Sequence, residues 1–160
     1  MKIIAKTGWT TDELEAGIKK TKLQQHYDFV TLLIGVNNQY RGLPRDKYAL
    51  EFESLLKQAI SFAGDEPAHV VVLSIPDWGI TPFAEGRNST QIGKEIDDFN
   101  AINKQISQRY KVHYIDITQG TRKAADDASL LAADGLHPSG KEYSIWTQQV
   151  TDTIENLLQR

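Results

Sequence analysis

The sequence predicts a three-layer α/β/α domain built around a parallel sheet. Two patterns carry this expectation: short, strongly apolar segments recur along the chain, and each is followed by a longer segment with helical apolar spacing. Size is the third support. A chain of 160 residues matches one compact domain, which at that length buries about 70% of the surface its unfolded form exposes. Residues 1–160 therefore read as a single domain, with no internal repeat and no linker.

The elements follow in order. Ile3 to Lys6 reads as a short strand, and Thr10-Thr11-Asp12-Glu13 then fits a capping box opening a helix to about Gln25. Phe29 to Gly35 is a near-continuous apolar run, the mark of a strand buried on both faces. The next helix, Asp46 to Phe62, places Tyr48, Phe52, Leu55, Leu56 and Ala59 on one stripe. Val70 to Ile75 is a third strand. A long loop through Pro76, Trp78, Pro82 and Gly86 leads into a helix from about Gln91 to Tyr110, with Ile92, Ile96, Phe99, Ile102 and Ile106 inward. Val112 to Ile117 is the fourth strand, and the last helix runs from about Ser139 to Leu158 with Tyr143, Trp146, Val150, Ile154 and Leu157 facing the core. Repeated strand-then-helix order implies a parallel sheet covered on both faces.

Composition narrows the function. The net charge is -3 with no basic run, so there is no electrostatic footprint for nucleic acid or an anionic membrane. Cysteine is absent, which removes disulfides, thiolate nucleophiles and Cys-ligated metals but leaves the compartment open. Met1 to Lys6 is too short an apolar stretch for a signal peptide, and no segment reaches the length of a membrane span. As written, the chain reads as soluble without an export signal. No His or carboxylate cluster has metal-ligand spacing and no Gly-rich phosphate loop occurs, so no metal and no cofactor are expected.

In open parallel sheets, ligands bind beyond the carboxyl ends of the strands. The loops there contain Gly8-Trp9-Thr10, Gly35-Val36-Asn37-Asn38, Pro76-Asp77-Trp78-Gly79 and Asp134-Gly135-Leu136-His137-Pro138. The last is the sharpest. A carboxylate three residues before a histidine in a tight turn can reach the imidazole Nδ1–H and leave Nε2 facing a substrate as general base. Taken alone, Asp134 and His137 fit equally a loop that caps a helix, and Gly35 and Asn37 fit an ordinary turn out of a strand.

Their combination resembles the SGNH-type, or GDSL-like, serine ester hydrolases. Gly8, the run Gly35-Val36-Asn37-Asn38 and the run Asp134-Gly135-Leu136-His137-Pro138 look like that family's second, third and fifth blocks, and the likeness covers essentially the whole chain. In the third block Asn38 stands where the family usually has Asp. The resemblance implies a flavodoxin-like fold and gives Gly8 a backbone N–H and Asn37 a side-chain amide in an oxyanion hole. It makes His137 the general acid and base, oriented by Asp134. The implied substrate is a small ester, an acylated carbohydrate or a lipid-like alcohol.

The family's first block, Gly-Asp-Ser, does not occur in these residues. The resemblance places it after a central strand between the equivalents of Ile3 to Lys6 and Phe29 to Gly35. Neighbouring strands lie about 4.8 Å apart, so two strands flanking an empty slot stand about 10 Å apart unless they close together. The expectation is therefore an N-terminally truncated sheet, from an internal start, a misread gene start or a split gene, whose missing unit of roughly 30 residues carries the nucleophile. Such a chain is expected to be inactive alone, and its open slot is a place for self-association. A parent protein carrying the missing unit can also carry an export signal.

Other residues have plainer readings. Ser74 reads as a strand-end residue and Ser139 as the cap of the last helix, and neither is expected to be catalytic. His26, His69 and His113 lie away from the functional edge. Trp9, Trp78 and Phe83 suit an apolar or sugar-stacking wall or simple packing, and Arg41 and Arg45 suit an anionic substrate or a solvated surface. Two further functions stay open: a non-catalytic module that holds an acyl or sugar group, and a nucleotide-binding domain of the same fold, which the lack of a phosphate loop disfavours.

Overall fold

A computed structural model describes residues 1–159. Its centre is a parallel sheet of three strands, β1 (Val30–Leu32), β2 (Val70–Leu73) and β3 (His113–Ile115), in that spatial order. Val30 pairs with Val70, and Val71 pairs with His113. All four residues of the central β2 are buried, each such aliphatic side chain contributing about 1.5–3 kcal/mol.

Alternation along the strands divides the core in two. Val70 and Val72 point into the larger cluster. There they meet α1 (Thr11–Lys20), α3 (Arg45–Phe62) and α4 (Ser89–Arg109), with Phe52, Leu56 and Ile96 fully enclosed. Val71 and Leu73 point the other way, into a small cluster with Ile117 and Trp146 under α6 (Gly140–Leu158). Short helices α2 (Val36–Tyr40) and α5 (Thr118–Arg122) follow β1 and β3 directly. Helices thus cover both faces, as the strand-helix order predicts.

Local signals hold well at helix starts. Thr10 and Glu13 form the expected capping box, Asn88 Oδ1 accepts from Gln91 N–H, and Ser139 Oγ accepts from Glu142 N–H. The first helix stops at Lys20 rather than Gln25, because Thr21 takes an extended conformation and turns its hydroxyl back onto the Gly17 carbonyl.

Three expectations fail on one side of the molecule. Ile3 to Lys6 is not a strand; among the described residues no strand pairs with the outer edge of β1, and an isolated extended segment has no ladder to hold it. Ile4 packs on the larger core while Ile3 faces solvent. The Phe29 to Gly35 run is not buried on both faces, since Thr31 and Leu33 are exposed. Finally, Tyr143 on α6 is 51% exposed rather than inward. All three lie around one open volume.

Candidate active site

That volume is a cavity of about 1070 Å³. It is bounded by Thr31, Leu33 and Leu73 of the sheet side, by Trp146 and Val150 of α6, and by the segment from Ile4 to Trp9. Gly8, Asn37 and His137 line this same cavity.

Gly8 occupies the third position of a turn in which Trp9 N–H donates to the Lys6 carbonyl at 3.2 Å. Its φ of +86° is the reason for glycine here, as such turns demand a positive φ at that position. Gly35 serves a second sharp exit, from β1 into α2. Besides a φ of +127°, a Cβ there would meet the Tyr48 hydroxyl at 2.3 Å, and that hydroxyl is committed to Asn103 Oδ1 at 2.7 Å.

The two turns are tied together. Asn37 Nδ2 donates to the Trp9 carbonyl at 3.1 Å, which uses one of its two amide hydrogens. Arg41 Nη2 donates to the Gly8 carbonyl at 2.7 Å and pairs with Glu13 at 3.3 Å. Asn38, the residue that departs from the family pattern, is buried and reaches α1: its Oδ1 accepts from Thr11 N–H at 3.1 Å and its Nδ2 donates to the Thr11 hydroxyl at 2.7 Å. Because the Thr11 hydroxyl donates its own hydrogen to Glu51 Oε2 at 2.5 Å, an aspartate could not make the second bond.

The histidine sits on a turn closed from both ends. Ala132 N–H donates to the His137 carbonyl and Ser139 N–H to the Leu130 carbonyl, each at 2.8 Å. Within it, Asp134 Oδ1 accepts from the N–H groups of Leu136 and His137 at 3.0 and 2.9 Å. Asp134 Oδ2 accepts from His137 Nδ1 at 2.6 Å. The backbone N–H of His137 first, then that of Leu136 and then the imidazole hold the Asp134 carboxyl down to about 2. Both side chains are 51% exposed, so the imidazole is open to solvent.

The serines of the sequence reading have structural duties. Ser74 is buried, and its Oγ accepts from the N–H groups of Ile117 and Thr118 at 2.8 and 3.1 Å. Ser139 caps α6 and donates to the Ser129 carbonyl at 2.7 Å. Among the described residues no serine lines the cavity. Nor does any group of three or more metal-binding side chains occur among them, and no helix is long and apolar enough to cross a membrane.

A protein-family model described as GDSL-like lipase/acylhydrolase matches residues 2–145. The chain belongs to that family. GDSL-like proteins in this sense hydrolyse ester bonds. Among solved structures, an acetylxylan esterase from Geobacillus stearothermophilus is similar, with a TM-score of 0.70 and 19% identity over 92% of this chain and 68% of that one. A lipase/acylhydrolase from Enterococcus faecalis has a TM-score of 0.70 and 20% identity over 93% and 72% of the two chains. An α/β hydrolase from the metagenome of Lake Arreo in Spain gives 0.69 and 16%, over 91% and 68%. No curated protein sequence matches. At these identities the likeness is one of fold, and the three-stranded sheet with helices on both sides fits the GDSL-like architecture.

One residue lining this GDSL-like cavity, and one stacked on its aromatic wall, escape a reading of the sequence. Glu142 is buried on α6, its Oε1 accepting from Trp146 Nε1 at 2.7 Å, while Oε2 has no partner among the described residues. Arg87 stacks on three aromatic rings at the cavity rim. The first signal was hidden in an amphipathic helix, the second in a loop of ordinary polarity.

Proposed function

We propose that these residues form, as one domain, the oxyanion and acid–base part of a serine ester hydrolase, with the serine supplied by a Gly-Asp-Ser segment outside them. The observation that carries this reading is the meeting of Gly8, Asn37 and His137 at one cavity, with Asp134 on the far nitrogen of the imidazole.

The chemistry follows from those positions. With Nδ1–H donated to Asp134, His137 Nε2 is free to take the proton of an attacking serine hydroxyl. The carbonyl oxygen of the ester then becomes an oxyanion, stabilised by the Gly8 N–H and the second Asn37 amide hydrogen, each contributing about 3 kcal/mol. His137 returns the proton to the departing alcohol, and water repeats the cycle on the acyl-serine.

Substrates in this reading are small acyl groups on a carbohydrate or lipid-like alcohol. The similarity to an acetylxylan esterase and the aromatic rim of Tyr40, Trp78 and Phe83 favour an acetylated carbohydrate. The absence of a serine from the cavity lining favours a second reading for the 160 residues by themselves: a module that binds an acylated sugar without turning it over.

Hydrolysis of p-nitrophenyl acetate separates them. The 160-residue chain alone is expected to match its His137→Ala variant. Joined to a Gly-Asp-Ser segment it should turn over, with His137→Ala lowering kcat by about 10⁶-fold and Asn37→Ala by about 10²–10³-fold. A His137-dependent rate in the 160-residue chain would place the nucleophile inside it.

A further inference from the structure

Five arginines fall within the described residues, and four have a carboxylate partner. Arg41 pairs with Glu13, Arg45 with Asp98, Arg109 with Glu53, and Arg122 with Asp77 and Asp97. Arg41 and Arg45, which the sequence offers as anion readers, are thus already neutralised. Arg87 has no acidic partner among the described residues.

Its position is nevertheless fixed. The guanidinium carbon lies 5.3 Å from the ring centre of Tyr40, 5.2 Å from that of Trp78 and 5.3 Å from that of Phe83. The rings support one another edge-on, with Tyr40 and Trp78 centred 5.2 Å apart, and Trp78 is anchored by Nε1 donating to Gln39 Oε1 at 2.7 Å. Aromatic faces hold a cation by their quadrupole and leave its N–H groups unspent. The only hydrogen bond from Arg87's side chain among the described residues is a long one to the Tyr40 hydroxyl, at 3.5 Å.

This cluster adjoins the proposed chemistry. Tyr40, Trp78 and Phe83 line the cavity that His137 lines. Phe83 N–H donates to the Gly135 carbonyl at 3.2 Å, so the loop carrying Arg87 is bonded to the turn carrying Asp134 and His137. Tyr40 and Phe83 are 43% and 41% exposed, offering flat apolar surface beside a charged planar fork. A pyranose presents C–H groups to such a surface, and a carboxylate matches the guanidinium with two parallel hydrogen bonds.

We propose that Arg87, on its platform of Tyr40, Trp78 and Phe83, selects substrates whose sugar carries a carboxylate, a uronate next to the acylated position. This rests on the ester-hydrolase reading for its placement beside the reacting bond, but its binding chemistry is independent of turnover. The test is titration of the protein with sodium glucuronate, with glucose and glucose 6-phosphate as the neutral and phosphate arms, read by the indole N–H signal of Trp78 in NMR. The expected result is a saturable shift with glucuronate, tighter than with either other sugar and weakened by salt. Arg87→Gln should lower that affinity at least tenfold, Arg87→Lys should restore part of it, and Arg109→Gln, on a distant surface pair, should leave it unchanged.

Equal affinity for glucuronate and glucose, a preference for the phosphate, or an Arg87→Gln variant that binds like the parent would each overturn the assignment. Glucuronate binding without ester hydrolysis in the protein joined to its Gly-Asp-Ser segment would overturn the hydrolase reading alone. Ester hydrolysis with no Arg87-dependent binding would overturn this one alone.

Discussion

Asp134 uses both oxygens, and most of its grip is on the backbone. Its carboxyl titrates at about 2 chiefly because two peptide N–H groups point at it, with the imidazole contributing less. The folded-state value lies below the ordinary one, so the carboxylate persists as pH falls and is lost only near that lower value. Two outcomes follow: an acidic limb in a pH–rate profile centred well above 2 does not belong to Asp134, and the His137→Ala variant keeps Asp134 below 3.8, because its peptide N–H groups remain. Carbon-detected NMR titration of Asp134 checks this; a return to the ordinary value would mean the imidazole dominates. This turn was legible in the sequence because its partners lie within three residues of each other. The roles of Asn38 and Arg87 were not, since Thr11 and the ring cluster of Tyr40, Trp78 and Phe83 are brought to them only by the fold.

At the scale of elements, helix starts and the central strand could be read locally, whereas β1 and the first segment could not. An apolar run states that a strand is to be buried; it does not state that the burying partner is present. Thr31, Leu33 and Tyr143 line the open cavity and are exposed, and Ile3 to Lys6 joins no strand of the sheet. Glu142 belongs to the same gap: a buried carboxylate with an unpartnered oxygen costs about 1–3 kcal/mol. Glu142→Gln keeps the bond from Trp146 Nε1 and exchanges one unpartnered polar group for another, so it should leave the stability of the 160-residue chain within about 1 kcal/mol of the parent, measured by urea unfolding. If a segment filling the cavity donates to Oε2, the same substitution destabilises the completed protein. Loss of stability in the 160-residue chain itself would show that Oε2 already has a partner.

Across the whole molecule, one side is finished and the other is open. The larger core, with α1, α3 and α4, is closed around Phe52, Leu56 and Ile96, and it sets the positions of Gly8 and Asn37 through the turns leading into α1 and α2. The opposite face has α6 alone, and between them lies the cavity that brings Gly8, Asn37 and His137 together. An exposed strand edge is a template for pairing, and the proposed reading seats the Gly-Asp-Ser segment on the outer edge of β1, which brings its serine next to His137. Labelling the native protein with a fluorophosphonate probe, then mapping the modified peptide by mass spectrometry, tests this most directly. One labelled serine is expected, in a Gly-Asp-Ser sequence outside these 160 residues, with labelling abolished by His137→Ala. A label on a serine within them, or labelling indifferent to His137, would contradict it.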